Sequence, residues 1–205
     1  MEVPKDYGDI MATTLIMRLP SAARGEGGLR FNYRGMHRYF ITQPVHSSFP
    51  GFDDPAKIFA VLEVLRSCAA KQKFDVYAYL FLPAKLILII RGKGEESDMK
   101  AFLSEFRENS TAVMKLPAEG ALWSRKYVER VLRKSELSRE AVKDVLMIPV
   151  KEGLAASPGE YRFGGSFAYD PAKIFSTPKP SYLQRKQFGA DRRVGKPPSR
   201  PYRKP

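Results

Sequence analysis

An antiparallel sheet with helices on one face, an α+β sandwich, is the fold class that the order of apolar segments predicts. Two short apolar runs, 74 to 81 and 85 to 91, are separated only by Leu82-Pro83-Ala84, a spacing that permits a hairpin and little else. Stretches of helical period flank that hairpin at 55 to 72 and 95 to 116, and a further strand is expected at 39 to 45. The resulting order, strand, helix, strand, strand, helix, is that of the ferredoxin-like split βαβ arrangement. A chain of 205 residues with 43% hydrophobic content can bury one core of ordinary size and carry extensions.

The elements follow in turn. Tyr39, Phe40, Ile41 and Thr42 are the aromatic and β-branched types that suit a pleated surface. Asp53, Asp54 and Pro55 signal the start of the first helix, since an aspartate can cap free N–H groups and proline is pre-set for the first turn. Along that helix Leu62, Leu65 and Ala69 line up with Cys68, so the single cysteine reads as a reduced core thiol, and it has no partner for an internal disulfide. KLILII, bounded by Pro83 and Gly92, reads as a buried strand. Met99, Phe102, Leu103 and Phe106 give the second helix its apolar stripe, with Asp98 a weaker start signal. Beyond it the pattern thins: Val128 to Leu132 is compatible with strand or helix. There is no internal repeat, and Gly92-Lys-Gly94 lacks the spacing of a phosphate-binding loop.

Charge narrows the class of partner. A net charge of +13 with a pI near 9.8 implies acidic partners, of which nucleic acid is the commonest, against the plain alternative of a solubilising basic surface. From 178 to 205 nine Lys and Arg stand against the lone acid Asp191, so this stretch supplies +8 of the +13, and it holds six prolines. With only Tyr182, Leu183, Phe188 and Tyr202 as apolar anchors it is expected to stay extended until an acidic ligand orders it, its aromatics and arginines suiting unpaired bases and phosphates. A second basic cluster, Arg125, Lys126, Arg130, Arg133 and Lys134, sits beside Trp123 and Tyr127. Residues 1 to 30 acquire no role. With neither a signal-peptide pattern nor an apolar run of membrane-spanning length, the expectation is a cytoplasmic protein, nucleoid- or ribonucleoprotein-associated. The expected organisation is an extension at 1–30, a domain at 31–170 and a basic Pro-rich tail at 171–205.

One stretch carries more. VYAYLFLPAKLILIIR, residues 76 to 91, resembles the A-Y-V-x-M-P-N-H-x-H-L-L-x motif of the single-tyrosine HUH transposases, especially the REP-associated tyrosine transposases. The segment from Gly35 to Phe81 resembles the family's opening. ALWSRKYVERVLR resembles L-W-Q-R-x-Y-x-x-x-V-x-R at Leu122, Trp123, Arg125, Tyr127, Val131 and Arg133. Residues 145 to 166 resemble Y-I-x-x-N-P-V-x-x-G-L-V-x-x-P-x-x-Y-x-x-S-S at Pro149, Val150, Gly153, Leu154, Pro158, Tyr161 and Ser166. The four segments keep their order across residues 33 to 167. The resemblance implies a ferredoxin-like HUH fold and a ligand of hairpin DNA.

The departures from that pattern fall on the chemistry. In the family two histidines flanking one residue hold a divalent metal, because alternate residues of a strand share a face and imidazole is a good ligand. Here those positions are Lys85 and Ile87: an ammonium repels a cation, and isoleucine has no lone pair. The resemblance places the nucleophilic tyrosine at Asn109 or Ser110, neither of which supplies an aryl oxygen. The family's asparagine before Pro149 is Ile148, and the histidine of its opening is Phe40. His37 and His46 are the only histidines, and a metal shared between them would need carboxylates from elsewhere. The expectation is therefore a catalytically inactive, transposase-derived binding protein with no metal and no cofactor. Its ligand is expected to be a DNA hairpin or structured RNA, the latter as part of a ribonucleoprotein complex, with a homodimer possible. A metal-dependent nickase using an unrecognised site is the enzymatic alternative. Lys85, Arg125, Lys126, Arg130 and Arg133 in the domain, with Arg185, Lys186, Arg192, Arg193, Arg200, Arg203 and Lys204 in the tail, are the expected contacts. Lys85 is expected either to reach a phosphate or to cover the former metal position.

Overall fold

The computed structural model describes residues 31–176, except 53, 117–119 and 137. The expectations for 1–30 and for the tail, including Arg185 to Lys204, lie outside the described residues. Strand β1 (Arg38–Pro44) leads to helix α1 (Pro55–Lys71), strands β2 (Phe74–Leu82) and β3 (Lys85–Gly92), and helix α2 (Met99–Val113). Then come β4 (Val128–Val131), α3 (Ser138–Leu146), the single turn α4 (Ile148–Lys151), a 3₁₀ turn (Pro158–Glu160), β5 (Gly164–Gly165) and α5 (Pro171–Ser176). All pairings are antiparallel, in the order β4-β1-β3-β2-β5.

The centre of the sheet explains its sequence. Leu86, Leu88 and Ile90 of β3 join the core beneath α1 and α2, whereas Ile87 and Ile89 join a second core beneath α3, α4 and α5. A strand covered on both faces reads as a continuous apolar run rather than an alternating one. Burying each such side chain is worth about 1.5–3 kcal/mol. The two long helices lie on one face, as the sequence predicts. The short helices over the other face were not legible, and α5 extends the folded part past residue 170, with Ile174 3% exposed. Val128–Val131 resolves as a strand, paired with β1.

Two local features set the edges of these elements. Asp54 caps α1 by accepting from the Ala56 amide, while Asp98 caps α2 by accepting from Ala101. Because Asp98 takes that role, α2 begins at Met99 rather than at 95, and Ser97 turns inward to donate to the Lys73 carbonyl. In β2 the register shifts between Val76 and Ala78, a bulge that puts the consecutive Tyr77 and Ala78 both with the second core, so that even positions face the first core before it and the second core after it. No helix among the described residues is long and apolar enough to cross a membrane.

At the end of β3 the chain passes so close to the segment before β1 that a Cβ on Gly92 would overlap the Gly35 carbonyl. The Gly92 amide also donates to the His37 carbonyl. Overpacking such a contact costs about 1–3 kcal/mol. Gly92→Ala should lower the urea midpoint by an amount in that range at an unchanged slope, whereas Gly159→Ala, facing open space, should not.

Candidate nucleic-acid interface

Lys85 and Ile87 share the face of β3 that looks toward α3 and α4. Lys85 Nζ lies 3.3 Å from Glu152 Oε1, just past α4, with side chains 23% and 27% exposed. Lys85 is thus paired with a carboxylate of the fold, which is the arrangement of a structural contact. Ile87 is 3% exposed, inside the cluster that includes Val142, Val145, Leu146 and Ile148. Tyr161 packs against the same cluster and its hydroxyl donates to the Phe81 carbonyl at 2.7 Å. Burial, and then the Glu152 carboxylate, push its phenol up to about 12, so at neutral pH it is no phenolate nucleophile.

The helix on which the resemblance places the family's tyrosine position lies across the sheet from Lys85 and Ile87. Phe102, Leu103 and Phe106 seat α2 in the core with Leu86, Leu88 and Ile90, so Asn109 and Ser110 are separated from positions 85 and 87 by the sheet itself. Apolar spacing identifies a helix but not the face of the sheet it covers. Ser110 is fully buried; its Oγ donates to the Phe106 carbonyl at 2.6 Å and accepts from Trp123 Nε1 at 2.7 Å. The hydroxyl is a structural bracket for the indole. Asn109 Nδ2 donates weakly to Cys68 Sγ at 3.7 Å, and burial pushes the Cys68 thiol up. The face of positions 85 and 87 is instead covered by α3 and α4, which contain no tyrosine, histidine or cysteine.

His37 and His46 flank the seven residues of β1, about 23 Å of strand at about 3.3 Å per residue, and so share no site. His46 Nδ1 accepts from the Ser48 amide at 3.2 Å. Among the described residues no three His, Cys, Asp or Glu side chains converge as a metal would require.

The basic cluster divides in two. Arg130, 14% exposed, is bound through Nη1 to both oxygens of Glu136 at 2.8 and 2.7 Å, so its charge is paired inside the fold. Glu136 also accepts from the Arg133 amide, and Arg38 donates to the carbonyls of Arg133 and Glu136 and to Ser138 Oγ. This network shapes the loop between β4 and α3, while the Arg133 side chain stays exposed with no ion pair among the described residues. Arg125 and Lys126 are exposed and have none either. Sequence reading missed Arg107, which donates to the Ser124 carbonyl at 2.8 Å, and Lys100, whose Nζ sits 4.1 Å over the Tyr33 ring and 2.6 Å from Tyr127 Oη. Arg107 follows directly from the α2 stripe, being the polar neighbour of Phe106; Lys100 depends on contacts across 27 and more residues and has no local signal.

No family model matches the sequence, and no curated protein matches it. Among solved structures the chain is similar to a REP-associated tyrosine transposase bound to a REP hairpin, with a TM-score of 0.60 and 17% identity over 75% of this chain and 92% of that one. It is also similar to a protein from Deinococcus radiodurans assigned as a transposase, at 18% identity over 59% of this chain and 92% of that one, though a TM-score of 0.41 carries no argument. The fold of the five-stranded antiparallel sheet with its helices is that of the hairpin-bound transposase structure.

Three substitutions check these structural roles. Ser110→Ala strands a buried indole N–H and should cost about 1–3 kcal/mol, while Asn109→Ala should stay within about 0.5 kcal/mol, both read by urea denaturation. Burial alone would raise the Glu136 carboxyl, but the Arg133 amide and the Arg130 guanidinium outweigh it and hold it below the ordinary carboxylate range. A depressed folded pKa means stability that is present above the unfolded value of about 4.3 and lost as pH falls through the folded value. Glu136→Gln should therefore be destabilising at pH 7, by about 1.5–3 kcal/mol for bonds to charged groups, with the deficit shrinking as the pH is lowered below about 4.

Proposed function

We propose that the protein is a transposase-derived domain that binds structured or single-stranded nucleic acid, a DNA hairpin first, without cleaving it. The observation that carries this reading is the fate of one strand face: Lys85 is clasped to Glu152 and Ile87 is packed in the core, where an H-x-H pair would hold a metal. A divalent cation there would face an ammonium and a hydrocarbon. Cleavage of a phosphodiester through a tyrosine would also need a nucleophile on that face, and α3 and α4 offer none. What supports the binding half is charge: +13 overall, with Arg125, Lys126 and Arg133 exposed and unpaired on the described surface and +8 concentrated in residues 178 to 205. The organisation proposed is an extension at 1–30, a folded domain from 31 through α5, and a basic tail that clamps phosphates.

RNA within a ribonucleoprotein complex is the second reading, favoured by the tail's composition, in which Tyr182, Phe188 and Tyr202 alternate with arginines and prolines. Competition between a DNA hairpin and an RNA hairpin of the same sequence separates the two.

The chemistry is tested with hairpin and single-stranded DNA in Mg²⁺ or Mn²⁺: no nick and no covalent protein adduct should form, and metal-dependent cleavage would sink the reading. The tail is tested by a salt series. Each neutralised phosphate contributes a slope near −0.9 on duplex DNA and about −0.7 on single strands. If about half of the nine basic residues engage, ending the chain at 177 should reduce the slope magnitude by roughly 3 to 4 units and leave the melting temperature unchanged. An equal slope for both forms would place recognition in the folded domain alone.

A further inference from the structure

Arg38 and Arg91 stand directly opposite each other on β1 and β3, and residues so paired in antiparallel strands point to one face with Cβ atoms about 5 Å apart. Like charges at such a pair are destabilising, and neither guanidinium forms an ion pair among the described residues. Arg38 is held by neutral acceptors alone: the carbonyls of Arg133 and Glu136 and the Ser138 hydroxyl, at 2.6, 2.7 and 2.7 Å. The Glu136 carboxylate is given to Arg130 instead. Arg91 is exposed and donates through Nη1 to the Tyr77 hydroxyl at 3.1 Å. On its other side, Asp75 of β2 is its paired residue, and that carboxylate lies 3.8 Å from Lys93 Nζ. Arg38, Arg91 and Lys93 thus share a single acid.

Two phenols border the same cations. Tyr77, 7% exposed, and Tyr169, partly exposed, have ring centroids 5.0 Å apart. The Tyr169 amide donates to Ser166 Oγ at 2.8 Å, which fixes the turn that presents the ring. Burial raises the Tyr169 phenol most and the Tyr77 hydroxyl adds to it, while Arg91 and then Arg38 pull it down, so both guanidinia act on one hydroxyl. The phenol stays protonated at neutral pH and is a donor. The cluster is also oriented before anything binds: the loop between β4 and α3 holds Arg38, and a buried tyrosine holds Arg91.

We propose that this cluster is an anion site that takes one backbone phosphate of a bound nucleic-acid strand between the guanidinia of Arg38 and Arg91. Both side chains keep N–H groups that no acceptor of the fold occupies, and a planar guanidinium matches the oxygens of a phosphate. An anion between them also removes the repulsion of the opposed pair, which a neutral ligand cannot do. The bond from Arg38 to the Arg133 carbonyl joins the site to the exposed stretch around Arg133. The strand as the source of the phosphate rests on the function proposed above, since free phosphate presents the same oxygens.

Full-length protein is compared with Arg91→Gln, and with Arg66→Gln on α1 as the same charge change across the sheet. Because Arg91→Gln removes one of two opposed charges, its melting temperature should be no lower than that of the parent. Pyrophosphate at fixed ionic strength should raise the melting temperature of the parent and of Arg66→Gln by about 2 °C or more, and leave that of Arg91→Gln unmoved. Binding of a labelled DNA hairpin with thymidine flanks, followed by anisotropy, should weaken about tenfold in Arg91→Gln. Its salt slope should shrink by about 0.7 to 0.9, one phosphate's share. Arg91→Lys, which keeps the charge without the fork, should recover part of the loss. Equal hairpin affinity for Arg91→Gln and Arg66→Gln overturns the site and leaves the nucleic-acid reading standing. A lowered melting temperature for Arg91→Gln with no pyrophosphate response in the parent makes Arg91 a structural bracket for Tyr77 and overturns the site likewise. An Arg91-dependent pyrophosphate response without hairpin binding by any form overturns the strand as its source, and the nucleic-acid reading with it.

Discussion

Everything in this molecule depends on β3 being buried on both faces. Residues 86, 88 and 90 point under the two long helices, and 87 and 89 point under the short ones, so each position of the strand is committed to one of two cores. A slip of one residue would exchange the two sets. The antiparallel pairing of β3 with β1 and β2 over seven and eight positions fixes the register, and the glycine at its end lets the chain before β1 close against it. That commitment decides which residues can act together. It places Lys85 and Ile87 with α3 and α4, and it places Asn109 and Ser110 beyond reach.

Lys85 and Ile87, two residues apart on one face of β3, do different things there. Ile87 contributes to the core. Lys85 keeps a cation at the surface, tied to Glu152 with about three-quarters of each side chain covered. Ion pairs with this degree of exposure contribute on the order of 0–1 kcal/mol, too little to make the pair a stabilising device. By contrast Arg130 and Glu136, joined through one guanidinium nitrogen to both carboxylate oxygens and with a further bond from the Arg133 amide, form a clasp that ligand binding has little reason to open.

The sequence made the first half of the fold legible because its signals are local: an aspartate before a proline, a three-residue turn between two apolar runs, an apolar stripe at helical spacing. Helices α1 and α2 follow from these, and so does the central hairpin. The second half depends on short elements, a four-residue strand and helices of nine, four and six residues, whose period is hardly longer than one or two turns. Val142, Val145, Leu146 and Ile148 could have shown an apolar patch needing a face to cover, and the odd residues of β3 are that face. In the candidate interface the absence of histidine at positions 85 and 87 was readable, since residue type alone decides it. The internal use of Arg130 was not, because its partner is chosen by the path of a loop. Nor was the meeting of Arg38 with Arg91, which strand register decides.

The proposed function is nucleic-acid recognition without cleavage. Crosslinking in cells, recovery of the full-length protein, and sequencing of what it carries, with DNase and RNase arms, addresses that claim most directly. A defined set of hairpin-forming sequences, sensitive to DNase, uncut at the site of contact and released when the crosslink is reversed, is the predicted result. Recovery of no sequence above background, or of DNA joined to the protein through a bond that survives crosslink reversal, would contradict it.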